Sequence, residues 1–153
     1  MIDIFFDKVA ISNKKEIELL VKNTLNFGIR ELKIKKNFYI SVLLTDNQKI
    51  KEMNLRYRKI NKPTNVLSFG QNEKRIMEDK SFFIILGDIV VSIEKIMSES
   101  LEQGKTFKQH FTHMLLHGLL HLTGHSHEEK EKALIMEKKE ILMLSKLSIP
   151  SPY

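Results

Sequence analysis

The sequence predicts one compact domain that mixes strands with helices. Three observations carry this. The chain has 153 residues, 42% of them apolar, which suits a single sizeable core and argues against disorder. Short runs rich in β-branched and aromatic residues alternate with longer runs of helical period. Finally, all six histidines fall between His110 and His127, on a segment so apolar around the rest of its circumference that it belongs in the interior.

Ile2, Ile4 and Phe6 alternate with their neighbours and predict a first strand. Ser12 or Asn13 can cap a helix reaching about Phe27, with Glu16 three residues after Asn13, Gly28 at the exit, and Ile17, Leu20, Val21 and Leu25 on the buried face. After a lysine-rich bend over 30–36, Phe38 to Thr45 reads as a second strand. Asp46 then caps a short helix to about Tyr57.

The next stretch is basic first and apolar afterwards. Arg56, Arg58, Lys59 and Lys62 precede Pro63, and Val66 to Phe69 predicts a short strand. Such a cluster can contact phosphates, and a planar guanidinium can stabilise charge developing on a phosphoryl oxygen. Composition alone favours a solvated basic turn over a phosphate-binding loop. Gly70 to Ser81 is polar and aperiodic, and reads as a mobile loop.

Phe82 to Val91 predicts a buried strand kinked or bulged at Gly87-Asp88, where Asp88 is read as a structural carboxylate rather than part of a site floor. Ser92 can cap a helix that carries Ile93, Ile96 and Met97 and ends near Gly104. The histidine helix starts near Thr106. Last comes an amphipathic helix over 128–147 with Leu134, Ile135, Ile141, Leu142 and Leu144 available to the core. Its Glu and Lys pattern reads as a solvated face without chemistry.

On a wheel of about 100° per residue, His110, His113, His117 and His121 share one stripe. His117 and His121 are one turn apart, so both imidazoles can reach one ion. Gly124 can end the helix in a conformation open to positive φ, and His127 can then return toward the same point. The run from His117 to His127 spells H-x-x-x-H-x-x-G-x-x-H. Three imidazoles leave a tetrahedral metal one position for water, a catalytic rather than a structural arrangement. His113 can orient a ligand, touch substrate or pack. His110 and His125 are taken as non-ligands, with His125 lining the mouth.

Composition narrows the partners. With 25 Lys and Arg against 19 Asp and Glu the net charge is +6, which points to an acidic partner, nucleic acid first. Without cysteine neither a disulfide framework nor thiolate ligation is available. The acidic N-terminus does not resemble a secretory signal, and no apolar run approaches the roughly 20 residues of a membrane span. A cytoplasmic protein without membrane association is the expectation.

The same histidine spacing occurs in metzincin proteases, which need a glutamate directly after the first histidine as general base. Here that position is Gly118, and a proton acceptor for peptide hydrolysis is missing. A metalloprotease-like hydrolase remains one alternative. A nonenzymatic zinc-stabilised RNA-binding or ribosome-assembly factor is another.

The run His117-Gly118-Leu119-Leu120-His121-Leu122-Thr123-Gly124-His125-Ser126-His127 resembles the signature of the YbeY family, rRNA maturation factors described as metal-dependent endoribonucleases. Tyr57-Arg58, Pro63 to Phe69, Leu86-Gly87-Asp88-Ile89-Val90 and Pro152-Tyr153 resemble other family segments in the same order. The resemblance implies an α+β fold over residues 1–153, a small mixed sheet flanked by helices with a zincin-like three-histidine site. It implies that His117, His121 and His127 hold one zinc ion (Zn2+), that Arg58 serves catalysis, and that His113 matches a common family histidine.

The implied substrate is single-stranded RNA, in particular the 3′ end of precursor small-subunit rRNA. The implied partners are the small ribosomal subunit and its assembly factors, in ribosome maturation and quality control. Arg56, Lys59, His125 and Ser126 are further candidates for substrate contact or ligand support. Two departures stand out. His125-Ser126 replaces the family's Tyr-Asp, removing a possible acceptor for a ligating imidazole, and Gly70 replaces a proline.

Overall fold

A computed structural model describes residues 1–70, 76 and 80–153. Strands β1 (Ile2–Phe6), β2 (Asn37–Thr45), β3 (Val66–Gly70) and β4 (Phe83–Ser92) form one sheet, in the order β1-β2-β4-β3. The first two pairings are parallel and β3 runs antiparallel to β4. With helices α1 (Lys14–Glu31), α2 (Asn47–Arg58), α3 (Ile93–Glu102), α4 (Phe107–Leu122) and α5 (Lys130–Lys146) around it, the chain is an α+β domain.

Alternation divides the sheet. One face presents Ile2, Ile40, Val42, Leu44, Ile89 and Val91 to Val21 and Leu25 of α1 and to Phe111, Leu115 and Leu119 of α4. On the other, Ile50 of α2 packs on Leu67 and Val90. Leu116 and Leu120, on the far side of α4, meet Met136, Met143 and Leu144 of α5. Helix α4 is therefore enclosed on two sides, which explains why it is apolar around most of its circumference.

Capping follows the sequence at three of the five helices named above. Asp46 accepts from the Lys49 amide at 2.9 Å, Ser92 from Lys95 at 3.2 Å, and Thr106 from Gln109 at 3.1 Å in a full capping box. The expected bulge is also present: Tyr39 pairs with Ile85 but Ile40 with Gly87, leaving Leu86 as the extra residue.

Several expectations need correction. Asn13 does not cap α1, its side chain bonding Glu16 instead, and Gly28 lies inside that helix, not at its exit. There it faces α4, where an added Cβ would run into Leu119 and sit 3.1 Å from Leu116 Cδ2; the missing side chain lets the two helices pack closely. Met97 is 49% exposed. Arg56 and Arg58 stand on the last turn of α2 rather than on a loop. Gly70 belongs to β3 and Ile76 is buried in the core; the rest of the expected mobile loop, 71–75 and 77–79, lies outside the described residues. Asp88 is exposed and accepts a hydrogen bond from the Ser41 hydroxyl, consistent with its structural reading.

Candidate metal centre

The site begins with the end of α4. His117 and His121 lie one turn apart with their Nε2 atoms 3.1 Å from each other. Gly124, at φ +98°, reverses the chain, and the amides of Gly124 and His125 close on the carbonyls of His121 and Leu120 at 3.1 and 2.9 Å. The reversal brings His127 back: its ring centroid is 4.8 Å from that of His121 and 5.7 Å from that of His117. One ligand atom from each of the three lies within 4.8 Å of the others, a grouping able to hold a metal ion.

The donor set fits a tetrahedral metal. Bonds of about 2.0–2.1 Å to two imidazoles place the nitrogens about 3.3–3.4 Å apart, close to the spacing of the His117 and His121 Nε2 atoms. Their Nδ1 atoms are engaged elsewhere. His121 Nδ1 donates to the His125 carbonyl at 3.0 Å, so the turn that ends the helix also aims a ring. His117 Nδ1 donates to Glu140 Oε1 at 2.5 Å. With Nδ1 protonated, each ring presents an unprotonated Nε2 inward.

Glu140 is the residue that reading the sequence missed. It sits fully buried on α5, the helix expected to carry no chemistry. Besides His117 it accepts from His113 Nε2 at 3.0 Å and from the Tyr153 hydroxyl at 2.5 Å. Leu134, Ile135 and Leu142, expected in the core, are instead exposed. The stripe that faces inward is Met136, Glu140, Met143 and Leu144. Its spacing of four, three and one was the available signal, a glutamate in line with an apolar ridge.

These contacts set the electrostatics. Burial would raise the Glu140 carboxyl, but its bonds from His113, His117 and Tyr153 outweigh that and hold it down to about 2. Burial and the adjacent His117 push the His121 imidazole down to about 4. Burial and the Glu140 carboxylate raise the Tyr153 phenol. The site therefore sets a His121 imidazole that resists protonation in front and one buried anion, Glu140, behind. His113, His117 and Glu140 form a second grouping with metal-ligand spacing.

A cleft of about 570 Å³ opens on the histidines, walled by Thr64–Ser68 and Gly70 on one side and by His117, His121 and 124–128 on the other. Arg58 lines it, as do His125 and Ser126. Arg56 and Lys59 do not: the Arg56 guanidinium lies 5.4 Å from the Tyr57 ring, and Lys59 ends α2 in a left-handed conformation. Asn54, buried, donates to the Lys62 carbonyl at 2.9 Å and braces the turn after Arg58. The Ser126 hydroxyl accepts from the Glu128 amide at 3.1 Å and bonds none of the three imidazoles. Its absent carboxylate has a counterpart in Glu140, which approaches from another element.

Gly118 faces strands β3 and β4 at close range. A Cβ there would meet Ile89 Cγ2 and Ser68 Oγ at 3.2 Å, so α4 rests on the sheet where a protease would carry its glutamate. A larger groove of about 830 Å³ lies between the β1–α1 connection and α3, but it holds no histidine. Its carboxylates, Asp46 and Glu94, are spent on the amides of α2. His110, buried, stands 3.4 Å from Glu99 and apart from the three converging rings.

Residues 2–148 match the family model described as endoribonuclease YbeY. The chain belongs to the YbeY family. Relatives bearing the name endoribonuclease YbeY include one from Ehrlichia canis, 42% identical over 87% of this chain and 83% of its own. One from Anaplasma phagocytophilum is 45% identical over 83% of this chain and 79% of its own. One from Bartonella quintana is 36% identical over 99% and 96%. A Thermotoga maritima protein of known solution structure is 26% identical with a TM-score of 0.60, covering 100% of this chain and 96% of that one.

Proposed function

We propose that this protein is a zinc-dependent endoribonuclease that cleaves single-stranded RNA, acting in the cytoplasm on the 3′ end of precursor small-subunit rRNA and in ribosome quality control. One observation carries the reading: in a chain of the YbeY family, three imidazoles converge in a cleft that also holds Arg58. His117, His121 and His127 are assigned as the ligands of one zinc ion. The net charge of +6 suits a polyanionic substrate, and the small ribosomal subunit and its assembly factors are the proposed partners.

A bound zinc ion would supply Lewis acidity at the scissile phosphate and lower the pKa of a coordinated water. The chain does the rest. The Arg58 guanidinium, on the cleft wall, neutralises charge gathering on the nonbridging phosphoryl oxygens as the bond breaks. His125 and Ser126, on the opposite wall, are assigned to flanking contacts with the strand. Residues 64–68 and 124–128 line the approach to the histidines, and a single strand, whose backbone can bend into the cleft, is the assigned substrate.

The test uses purified protein assayed for bound metal and incubated with single-stranded RNA and with casein, with and without chelator, beside a His121→Ala variant. RNA cleavage that disappears on chelation and in the variant supports the proposal. Casein cleavage would replace it with the protease reading, and RNA binding without cleavage would replace it with a nonenzymatic module.

A further inference from the structure

We infer that Glu140 and Tyr153 are positioning residues for the metal centre: Glu140 fixes the aim and tautomer of His117, and Tyr153 fixes Glu140. The inference rests on the assignment of His117 as a ligand. Both Glu140 oxygens are engaged, Oε1 by His117 Nδ1 and Oε2 by His113 Nε2 and Tyr153 Oη. The carboxylate lies wholly inside the protein, so each donor it loses leaves a charged lone pair without solvent to replace it. Its freedom to move is correspondingly small, and His117 inherits that rigidity.

Tyr153 reaches this point by an indirect route. After α5 the Ile149 amide closes on the Leu144 carbonyl at 2.9 Å, and Ile149 packs beside Leu116 and Leu120. The following segment, with Pro150 and Pro152, runs over His110 and His113 and encloses a cavity of about 220 Å³. Two prolines stiffen it, since each fixes its own φ. The Tyr153 ring is largely solvent-exposed while its hydroxyl enters the buried network, and it meets the His113 ring edge-on at 6.1 Å. The last five residues thus act as a strap that delivers one hydroxyl to the back of a metal ligand.

A purely structural role is the competing account. In that account the network only holds α4, α5 and the C-terminal segment together, and amide or phenyl replacements change stability but leave the metal site untouched. In the positioning account they change it, because partners behind a ligating imidazole commonly alter metal affinity by about 10- to 100-fold.

The experiment measures zinc affinity by competition with a chromophoric chelator, and the visible spectrum of the cobalt-substituted protein, for wild type, Tyr153→Phe and Glu140→Gln, with circular dichroism as the check on folding. Zinc affinity is expected to fall by about 10-fold in Tyr153→Phe and towards 100-fold in Glu140→Gln, with the cobalt bands shifted in both. Unchanged affinity and unchanged bands overturn the inference. Should Glu140→Gln not fold, Tyr153→Phe decides alone. Two zinc ions per wild-type chain and one in Glu140→Gln would also overturn it, making Glu140 a ligand in the second grouping. No readout involves RNA, so a protein that fails to cleave RNA leaves these results standing. A His121→Ala variant that binds zinc as wild type does would remove the three-histidine centre and the inference with it.

Discussion

Among single residues, Arg58 gives the sharpest test of the proposed chemistry. It is exposed at the end of α2 and lines the cleft, so its removal disturbs no packing. Arg58→Ala is expected to lower kcat for RNA cleavage by about 100- to 1,000-fold, the usual consequence of losing one donor to developing negative charge, with KM changed far less. Lysine at this position should restore only part of the rate, since an ammonium lacks the planar two-pronged geometry. Steady-state kinetics on a short single-stranded RNA measure both. Gly118 matters for the opposite reason: it faces the sheet, so a glutamate placed there would crowd Ile89 instead of acquiring a proton acceptor's position.

At the scale of the element, the two ends of α4 have different duties. Its start is secured by the Thr106 capping box, whereas its end is a reversal at Gly124 that aims His121 and returns His127. Gly124→Ala places a side chain at positive φ, at a cost of about 1–2 kcal/mol, and should also weaken zinc binding because the His125 carbonyl moves off His121 Nδ1. Thr106→Ala should cost a similar amount, about 0.5–2 kcal/mol, yet leave zinc affinity unchanged. Thermal unfolding and chelator competition on the two variants resolve stability from ligand geometry.

For the whole molecule, the partly buried site couples folding to protons, and under the proposed function to metal. In metal-free protein the His121 imidazole takes up its proton only near pH 4, against an ordinary value of 6.5. Between those values the unfolded chain binds more protons, so stability rises with pH and is lost as the pH falls from 6.5 to 4. Glu140 acts with the same sign lower down: its folded value of about 2 lies beneath the ordinary 4.5, and acidification through that window removes further stability. Urea midpoints of chelator-treated protein should fall monotonically from pH 7 to pH 3. Zinc at about 100 times its Kd should raise the unfolding free energy by about 2.7 kcal/mol, and His121→Ala should abolish that increment.

The local features were legible because each depends on neighbours in the chain. Helical periodicity placed His117 beside His121, a glycine marked the reversal, Asp46, Ser92 and Thr106 announced their helices, alternation pointed to β1, and apolar, β-branched and aromatic runs pointed to β2, β3 and β4. Glu140 was not legible. Among the glutamates and lysines of α5 it looks like one more solvated charge, and only the docking of that helix against α4 turns it inward.

The same holds for Tyr153, whose hydroxyl acquires meaning once the strap folds over His113, and for Gly28, whose small size matters only where α1 meets α4. Of the basic cluster 56–62, the resemblance had already singled out Arg58, and tertiary packing put it on the cleft while leaving Arg56 and Lys59 outside. What the sequence by itself determined is the family, the elements and the three converging histidines, since spacing along one helix and one turn is enough to bring them together. What only the tertiary structure decided is what stands behind those histidines, because a buried partner is defined by contacts between segments 13 to 27 residues apart, and no local pattern encodes which side of a helix the rest of the protein will cover.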